Sequence, residues 1–320
     1  MEKALQIISA ELAEFEEHFR QSVKSNVPLL DRIMRYIVKR KGKQLRPMFV
    51  LLSAKLGGEI KPATYRVASL VELLHTATLV HDDVVDEALE RRGFFSINAL
   101  WKNKIAVLVG DYLYSRGLLL SVDNNDIRAL QILTTAIKLM SEGELLQIEK
   151  SRSLNLKEEV YYEIIKGKTA SLLASTCAAG ASTTFTDDYS IEQMRLFGEK
   201  VGMAFQVKDD LFDYSNEDVG KPTGNDIKEK KLTLPLIYTL NNCTPALRKQ
   251  IIHIVKNENT DKQKVKFVIE AVENQGGIQY AKQKMTAFKD EALNILFKFP
   301  KNEVRDALEE MVIYTIDRKM

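Results

Sequence analysis

Cysteine is nearly absent from this 320-residue chain. The two that occur, Cys177 and Cys243, are too few for a disulfide framework and too isolated for a zinc site, and both read as small core residues in a reducing compartment. Proline (7) and glycine (15) are sparse as well, so long uninterrupted elements are favoured over many short strands. Charge of one sign is also missing: 46 basic against 44 acidic residues leave +2, which argues against a dedicated nucleic-acid surface. The most apolar stretches, near 67–80 and 171–181, are short or carry Glu72 and His75, so no stable membrane insertion is expected. The N-terminus sets Leu5, Ile8, Leu12, Phe15 and Phe19 at helical spacing among glutamates. It lacks a signal peptide's apolar block and is too acidic for a transit peptide, which points to the cytoplasm.

What is present is a hydrophobic content of 45%, enough for a sizeable core. Apolar residues recur every three or four positions, as in Val67, Leu70, Val71, Leu74, Thr78 and Leu79, and again in Leu130, Leu133, Ile137 and Met140. Turn-forming clusters near 57–62, 91–96, 121–126, 151–155, 182–190, 214–231, 241–245, 256–262, 273–277 and 299–302 cut the chain into roughly ten helical segments. Strand alternation, fixed repeats and linkers are lacking. The pattern predicts an all-α fold, one domain over residues 1–320, built as a large bundle of about ten or more helices with its ligand site among facing helices.

Two acidic motifs carry the chemistry. In His81-Asp82-Asp83-Val84-Val85-Asp86, a rotation of about 100° per residue puts Asp82 and Asp86 on one helix face with Asp83 beside them, and His75 falls on nearly the same stripe. Gln206-Val207-Lys208-Asp209-Asp210-Leu211-Phe212-Asp213 repeats the geometry at the end of a second apolar segment, with Gln206 in the stripe position of His75. Like charges at this spacing cost stability, and a single such cluster could be a solvated surface face. Two copies, each at the polar end of a buried helix, are better explained as facing clusters that hold hard divalent cations. Oxygen-only ligands suit Mg2+, whose shell is normally completed by substrate phosphates. Cations suited to phosphate accompany them: Lys43 and Arg46 in Gly42-Lys43-Gln44-Leu45-Arg46-Pro47, whose Gly and Pro suggest a tight bend, and the pair Arg91-Arg92. Lys168-Thr169, the stretch from Gly220 through Lys221 to Asp226, and Lys231 mean little alone and gain weight from their order.

The ordered set Gly-Lys-x-x-Arg-Pro, Asp-Asp-x-x-Asp, Arg-Arg-Gly, Gly-Glu-x-x-Gln (Gly143 to Gln147), Lys-Thr and Gln-x-x-Asp-Asp-x-x-Asp resembles the trans-isoprenyl diphosphate synthases, the polyprenyl synthetase family. The likeness runs from Gly42 to at least Tyr280, where Gly276-Gly277-Ile278-x-Tyr280-Ala281 also fits. It implies a bundle of isoprenoid synthase type around a central cavity. It assigns Lys43, Arg46, His75 and Arg92 to isopentenyl diphosphate, and Asp82, Asp83, Asp86, Asp209, Asp210 and Asp213 to Mg2+, three ions per active site. Arg91, Lys168, Thr169, Gln206, Lys221 and Lys231 would contact the allylic diphosphate or the developing cation, with Lys168, Thr169 and Gln206 nearest the chemistry. A homodimer is implied. The chain departs from the family at Lys230, where many relatives carry Gly, and at Asn225, where an acid is frequent, which leaves open whether Lys230 or Lys231 reaches phosphate.

By the same likeness, Mg2+ assists loss of diphosphate from the allylic substrate, the isopentenyl double bond attacks the allylic cation, and the departing pyrophosphate takes the proton. Bulky residues four or five positions before the first Asp pair limit chain length in the family. Here those positions hold Ala77 and Thr78, both small, which favours hexaprenyl to octaprenyl products over farnesyl. Ordinary helix packing also accepts Ala and Thr there. A terpene cyclase would not need Lys43, Arg46 and Arg92; a di-iron bundle would need a second partner for Glu72-x-x-His75; a non-catalytic subunit should have lost aspartates.

Overall fold

The structure, a computed structural model, describes residues 1–39, 42–91, 93–151, 157–214 and 224–317, the side chains of Arg91 and Asp317 excepted. Its helices are α1 (Glu2–Ser22), α2 (Pro28–Lys39), α3 (Leu45–Gly57), α4 (Pro62–Val85), α5 (Ile97–Asp123), α6 (Ile127–Ser151), α7 (Glu158–Ile165), α8 (Ser171–Ala181), α9 (Asp188–Phe212), α10 (Asn225–Lys228), α11 (Leu234–Asn242), α12 (Pro245–Asn257), α13 (Lys262–Asn274), α14 (Gly277–Leu296) and α15 (Glu303–Asp317). A π-helical turn, Lys166–Ala170, joins α7 to α8. The fold is all-α, as the sequence predicts. The exception is a ribbon of two short strands, β1 (Glu90–Arg91) and β2 (Phe94–Phe95), paired antiparallel across a turn in which Gly93 takes φ 75°.

The scarce prolines explain why the helices run so long. Pro28, Pro47, Pro62, Pro235 and Pro245 all lie in the first turn of a helix, where the missing N–H would have had no partner. Ser96, Thr244 and Asp261 cap α5, α12 and α13 by accepting backbone N–H bonds with their side chains, each cap contributing about 1 kcal/mol.

The chain divides into two compact units. The first comprises Met1–Thr135, Ser175–Arg195 and Lys301–Leu308; the second Ala136–Ala174, Leu196–Pro300 and Glu309–Met320. In the first, α4 lies against α5: a Cβ at Gly110 would overlap the His81 ring, and one at Gly117 would meet Leu70 and Leu74. A core of Ile33, Met34, Leu73, Ala77, Val80, Ile97, Ala106, Val109 and Leu113 fills the space that α2, α4 and α5 share. In the second unit, one core gathers Tyr161, Ile165, Ala170, Met203, Val207, Leu211, Leu234, Ile237 and Ala281, and another seals α10 to α13. Cys177 is a core residue, its thiol pushed up to about 12 by burial, but Cys243 is only half-buried, because it sits at the C-terminal cap of α11.

Candidate active site

The first acidic motif ends α4. Asp83 points inward and is 4% exposed, while Asp82 and Asp86 are exposed. The helix stops at Val85, and the Asp86 N–H donates to the Asp82 carbonyl at 2.8 Å. Following residues fold back on the helix end. Ala88 N–H donates to the Asp83 carbonyl (2.9 Å), Asn98 Nδ2 donates to the carbonyls of Asp83 and Ala88 (3.1 Å each), and Ser96 Oγ donates to the Ala88 carbonyl (2.7 Å). The Asp83 carbonyl at the helix end thus has partners, and the acidic turn is joined to the start of α5. His81 is seated against α5, with Nε2 3.2 Å from the Val107 carbonyl and 3.5 Å from the Asp111 carboxylate. Burial, then the charge of Asp82, pushes the Tyr114 hydroxyl up to about 12.

Around this turn, His75 is buried and Thr78 is half-buried, its hydroxyl donating to the His75 carbonyl at 2.7 Å. Ala77 is fully buried within the core that α4 shares with α2 and α5. Lys43 is exposed and Arg46 half-buried at the start of α3; the bend before it is made by Gln44, which takes the left-handed φ of 51°. Arg91 contributes its backbone to β1, and its side chain, all of Arg92 and all of Lys221 lie outside the described residues.

The second motif ends α9, and its three aspartates have different surroundings. Asp209 is half-buried. Asp210 is 5% exposed and takes hydrogen bonds on both oxygens, from Gln206 Nε2 (2.9 Å) and from the Tyr161 hydroxyl (2.7 Å). Gln206 Oε1 in turn accepts from Thr169 Oγ1 at 2.6 Å. Asp213 receives the backbone N–H groups of Asn225 (2.7 Å) and Asp226 (3.2 Å), and so caps α10. Loss of solvation is the main cause of a raised carboxyl at three acids, the buried Asp210 and Asp213 and the half-buried Asp226: Asp210 to about 7, Asp226 to about 6 with Asp213's charge adding, and Asp213 itself upward against its backbone bonds.

Two lysines stand nearby. Lys168 lies in the π turn and forms an ion pair with Glu144 of the Gly143–Gln147 motif. This turn meets α6 backbone to backbone. A Cβ at Gly143 would come within 2.7 Å of the Lys168 amide nitrogen, and one at Gly167 within 2.9 Å of the Leu139 carbonyl oxygen. A π turn inserted at such a point re-aims the residues it carries, here Lys168 and Thr169. Lys231 pairs with Glu229, whose burial pushes the carboxyl up but is outweighed by the bond and charge of Lys231 together with Asn225 and Lys168, which hold it below the usual value. Lys231's charge also acts to lower Asp226. Lys230 is exposed with φ 58°. That left-handed backbone is one glycine adopts without strain, so the position would accept Gly readily.

Lys168, Thr169, Gln206, Asp210 and Lys231 are thus gathered in the second unit, and Asp82, Asp83 and Asp86 share one turn in the first. The reading of the sequence missed Tyr161, Glu144 and Asp226. Of these Glu144 and Asp226 stood inside stretches singled out in the sequence, and Tyr161 stood in none. The Gly276–Ala281 motif proves architectural: Gly276 takes φ 79° before α14, a Cβ at Gly277 would overlap the Pro235 carbonyl, and Tyr280 donates to Glu158 at 2.6 Å.

Among the described residues no three His, Cys, Asp or Glu side chains converge as a ready-made cation site. The donors available are carboxylate oxygens, so a cation held here must complete its shell with water and substrate oxygens. That is how Mg2+ binds, and the donor set fits it.

The polyprenyl synthetase family model matches residues 27–272. The chain is 35% identical over 315 residues to an all-trans-nonaprenyl-diphosphate synthase (geranyl-diphosphate specific) of Rhodobacter capsulatus, covering 97% of this chain and 96% of that protein. It is 34% identical over 309 residues to heptaprenyl diphosphate synthase component 2 of Geobacillus stearothermophilus, covering 96% and 95%. A crystal structure of a Caulobacter crescentus polyprenyl synthase, complexed with calcium and isoprenyl diphosphate, superposes with a TM-score of 0.91 at 33% identity over 100% of this chain and 98% of that one. The chain belongs to the polyprenyl synthetase family and is a prenyltransferase.

Proposed function

We propose that this chain is an all-trans polyprenyl diphosphate synthase that joins isopentenyl diphosphate head to tail to an allylic diphosphate and yields a C30–C40 product. The observation that carries the reading is the hydrogen-bond chain from Thr169 through Gln206 to Asp210, beside the paired cations Lys168 and Lys231. It combines anion-binding groups with fixed oxygen dipoles, which is what ionisation of an allylic diphosphate requires. Asp82, Asp83, Asp86, Asp209, Asp210 and Asp213 are assigned to Mg2+; Asp82 and Asp86 are exposed at the end of α4, Asp83 is turned inward, and Asp210 and Asp213 also receive protein donors. Bound there, Mg2+ would ease departure of the diphosphate. Lys168 and Lys231, released from Glu144 and Glu229, take phosphate oxygens, while Thr169 and Gln206 offer their oxygens to the positive carbon. Lys43, Arg46, His75 and Arg92 are assigned to isopentenyl diphosphate, and Arg91 and Lys221 to the allylic partner. The small Ala77 and Thr78 support a long product, as do the names of the nonaprenyl and heptaprenyl relatives.

The molecule is read as cytoplasmic and as one domain, the latter supported by α6, α8, α9 and α15, each of which belongs partly to one unit and partly to the other. Its partner is a second copy. Beyond Lys102, α5 exposes Lys104, Val107, Leu108, Asp111, Ser115, Leu118, Leu119 and Val122. These positions are symmetric about Leu113: Leu108 mirrors Leu118, Val107 mirrors Leu119 and Asp111 mirrors Ser115. Such a face can pair antiparallel with itself across a two-fold axis. The Geobacillus relative, named as one component of a synthase, supplies the competing arrangement with a different subunit.

Radiolabelled isopentenyl diphosphate and farnesyl diphosphate, incubated with Mg2+ and resolved by product length, test the reading. Wild type should extend the primer by several units, stop with chelator and recover with Mg2+. Asp82→Ala and Asp209→Ala should lower turnover by orders of magnitude in folded protein. Ala77→Phe should shorten the product, at about 1–3 kcal/mol of overpacking. No condensation by wild type, or near-normal turnover in both aspartate variants, overturns the proposal.

A further inference from the structure

Tyr161 belongs to no motif in the sequence, yet its hydroxyl is spent on a site residue. The side chain is 3% exposed within the core of the second unit, and its O–H donates to Asp210 Oδ2 at 2.7 Å. The other Asp210 oxygen accepts from Gln206 Nε2 at 2.9 Å, and Gln206 Oε1 meets Thr169 Oγ1 at 2.6 Å. The order of donors along this chain is fixed by chemistry. In its ionised form Asp210 only accepts, and the Tyr161 O–H favours that form, so Gln206 turns its NH2 toward Asp210 and its carbonyl toward Thr169. The Thr169 hydroxyl must then donate to that carbonyl, which leaves its lone pairs as the capacity it can offer substrate. Were the Gln206 amide reversed, Thr169 would have to accept and its O–H would point its positive end outward.

We propose that Tyr161 is a positioning residue for the condensation: by anchoring the Asp210 carboxylate from behind, it fixes the orientation of the Gln206 amide and so the polarity of the Thr169 hydroxyl presented to the allylic carbon. This rests on the prenyltransferase reading above and adds to it a residue that never touches substrate. Hydrogen-bond chains of this kind polarise one another, and their members are coupled rather than independent.

The test is a double-mutant cycle in the condensation assay, with Tyr161→Phe, Thr169→Val and both together. Tyr161→Phe removes one oxygen and keeps the ring. It should lower Tm only modestly, leaving the protein folded at the assay temperature, keep the KM for isopentenyl diphosphate within error and lower kcat about tenfold, the effect of losing one hydrogen bond to a charged group. Thr169→Val should then cost markedly less in the Tyr161→Phe background than in wild type. If the two factors multiply, or kcat of Tyr161→Phe equals that of wild type, the positioning role is overturned while the prenyltransferase reading stands. A Tyr161→Phe protein that fails to fold, or whose lost Tm accounts for its lost activity, assigns the hydroxyl to structure alone and also overturns it. A wild type without condensation activity removes both readings.

Discussion

Asp210 is an acid placed where water cannot reach it, and the protein compensates only in part. Two hydrogen bonds pull its carboxyl down, but burial wins and raises it to about 7; Asp226 rises to about 6 and Asp213 rises as well. Each therefore binds a proton in the folded state at a pH where the unfolded chain, near 3.8, has lost it. Folding takes up protons in that window, so the stability of the metal-free protein is greatest below about pH 4 as far as these groups decide it, and declines as pH rises toward about 7. Tm in chelator should fall from about pH 5 to about pH 8, and Asp210→Asn should flatten the decline. A Tm that climbs across the same interval would show that other groups neutralise this cluster. Mg2+ with pyrophosphate should restore more Tm at the upper end than at the lower. The aspartates themselves were legible because repeated like charges on an apolar helix are a cost without compensation. The different surroundings of Asp210 and Asp213 were not, because donors such as Tyr161 and the N–H groups of Asn225 and Asp226 come from other segments.

At the scale of elements, the close approach of α6 to the π turn is the most demanding feature of the second unit. Neither Gly143 nor Gly167 takes a left-handed φ; both are glycine because backbone occupies the space of a side chain. Gly143→Ala would drive its methyl into the Lys168 amide, which has no flexible end to give. The expected cost is about 1–3 kcal/mol, seen as a lower Tm. Turnover should fall further than stability, since the group displaced carries Lys168. Equal losses in both would show that the turn relaxes without moving the lysine. Most helices and their ends were legible from spacing, proline and glycine. The π turn was not, since Lys166–Ala170 has no composition that separates it from the α-helix on either side. Nor was α10, four residues inside a stretch read as loop, which depends on the distant carboxylate of Asp213. The kink at Lys102, with φ 74°, likewise has no local signal.

For the whole molecule, the exposed apolar face of α5 sets the next expectation. Leu108 is 56% exposed and Leu118 42%, on a helix long and apolar enough by composition to cross a membrane. Leu108→Glu with Leu118→Glu should leave the helix intact and convert a dimer to a monomer in sedimentation velocity. An unchanged sedimentation coefficient in that variant, or a monomeric wild type, would exclude α5 as the seam. The all-α class and the order of motifs were legible because sparse glycine and proline leave little else possible. Which helix faces remain uncovered was not, because α5 reads along its length as one more core helix.

The tie between the end of α4 and the start of α5 has a consequence for motion. Asn98 and Ser96 hold the carbonyls of Asp83 and Ala88, so the acidic turn cannot loosen without the start of α5 loosening too. Residues so linked open as one cooperative unit. In hydrogen–deuterium exchange the amides of Asp86, Ala88 and Ser96 should therefore share a single opening free energy, larger than a surface loop of this length would show and set by the last turn of α4.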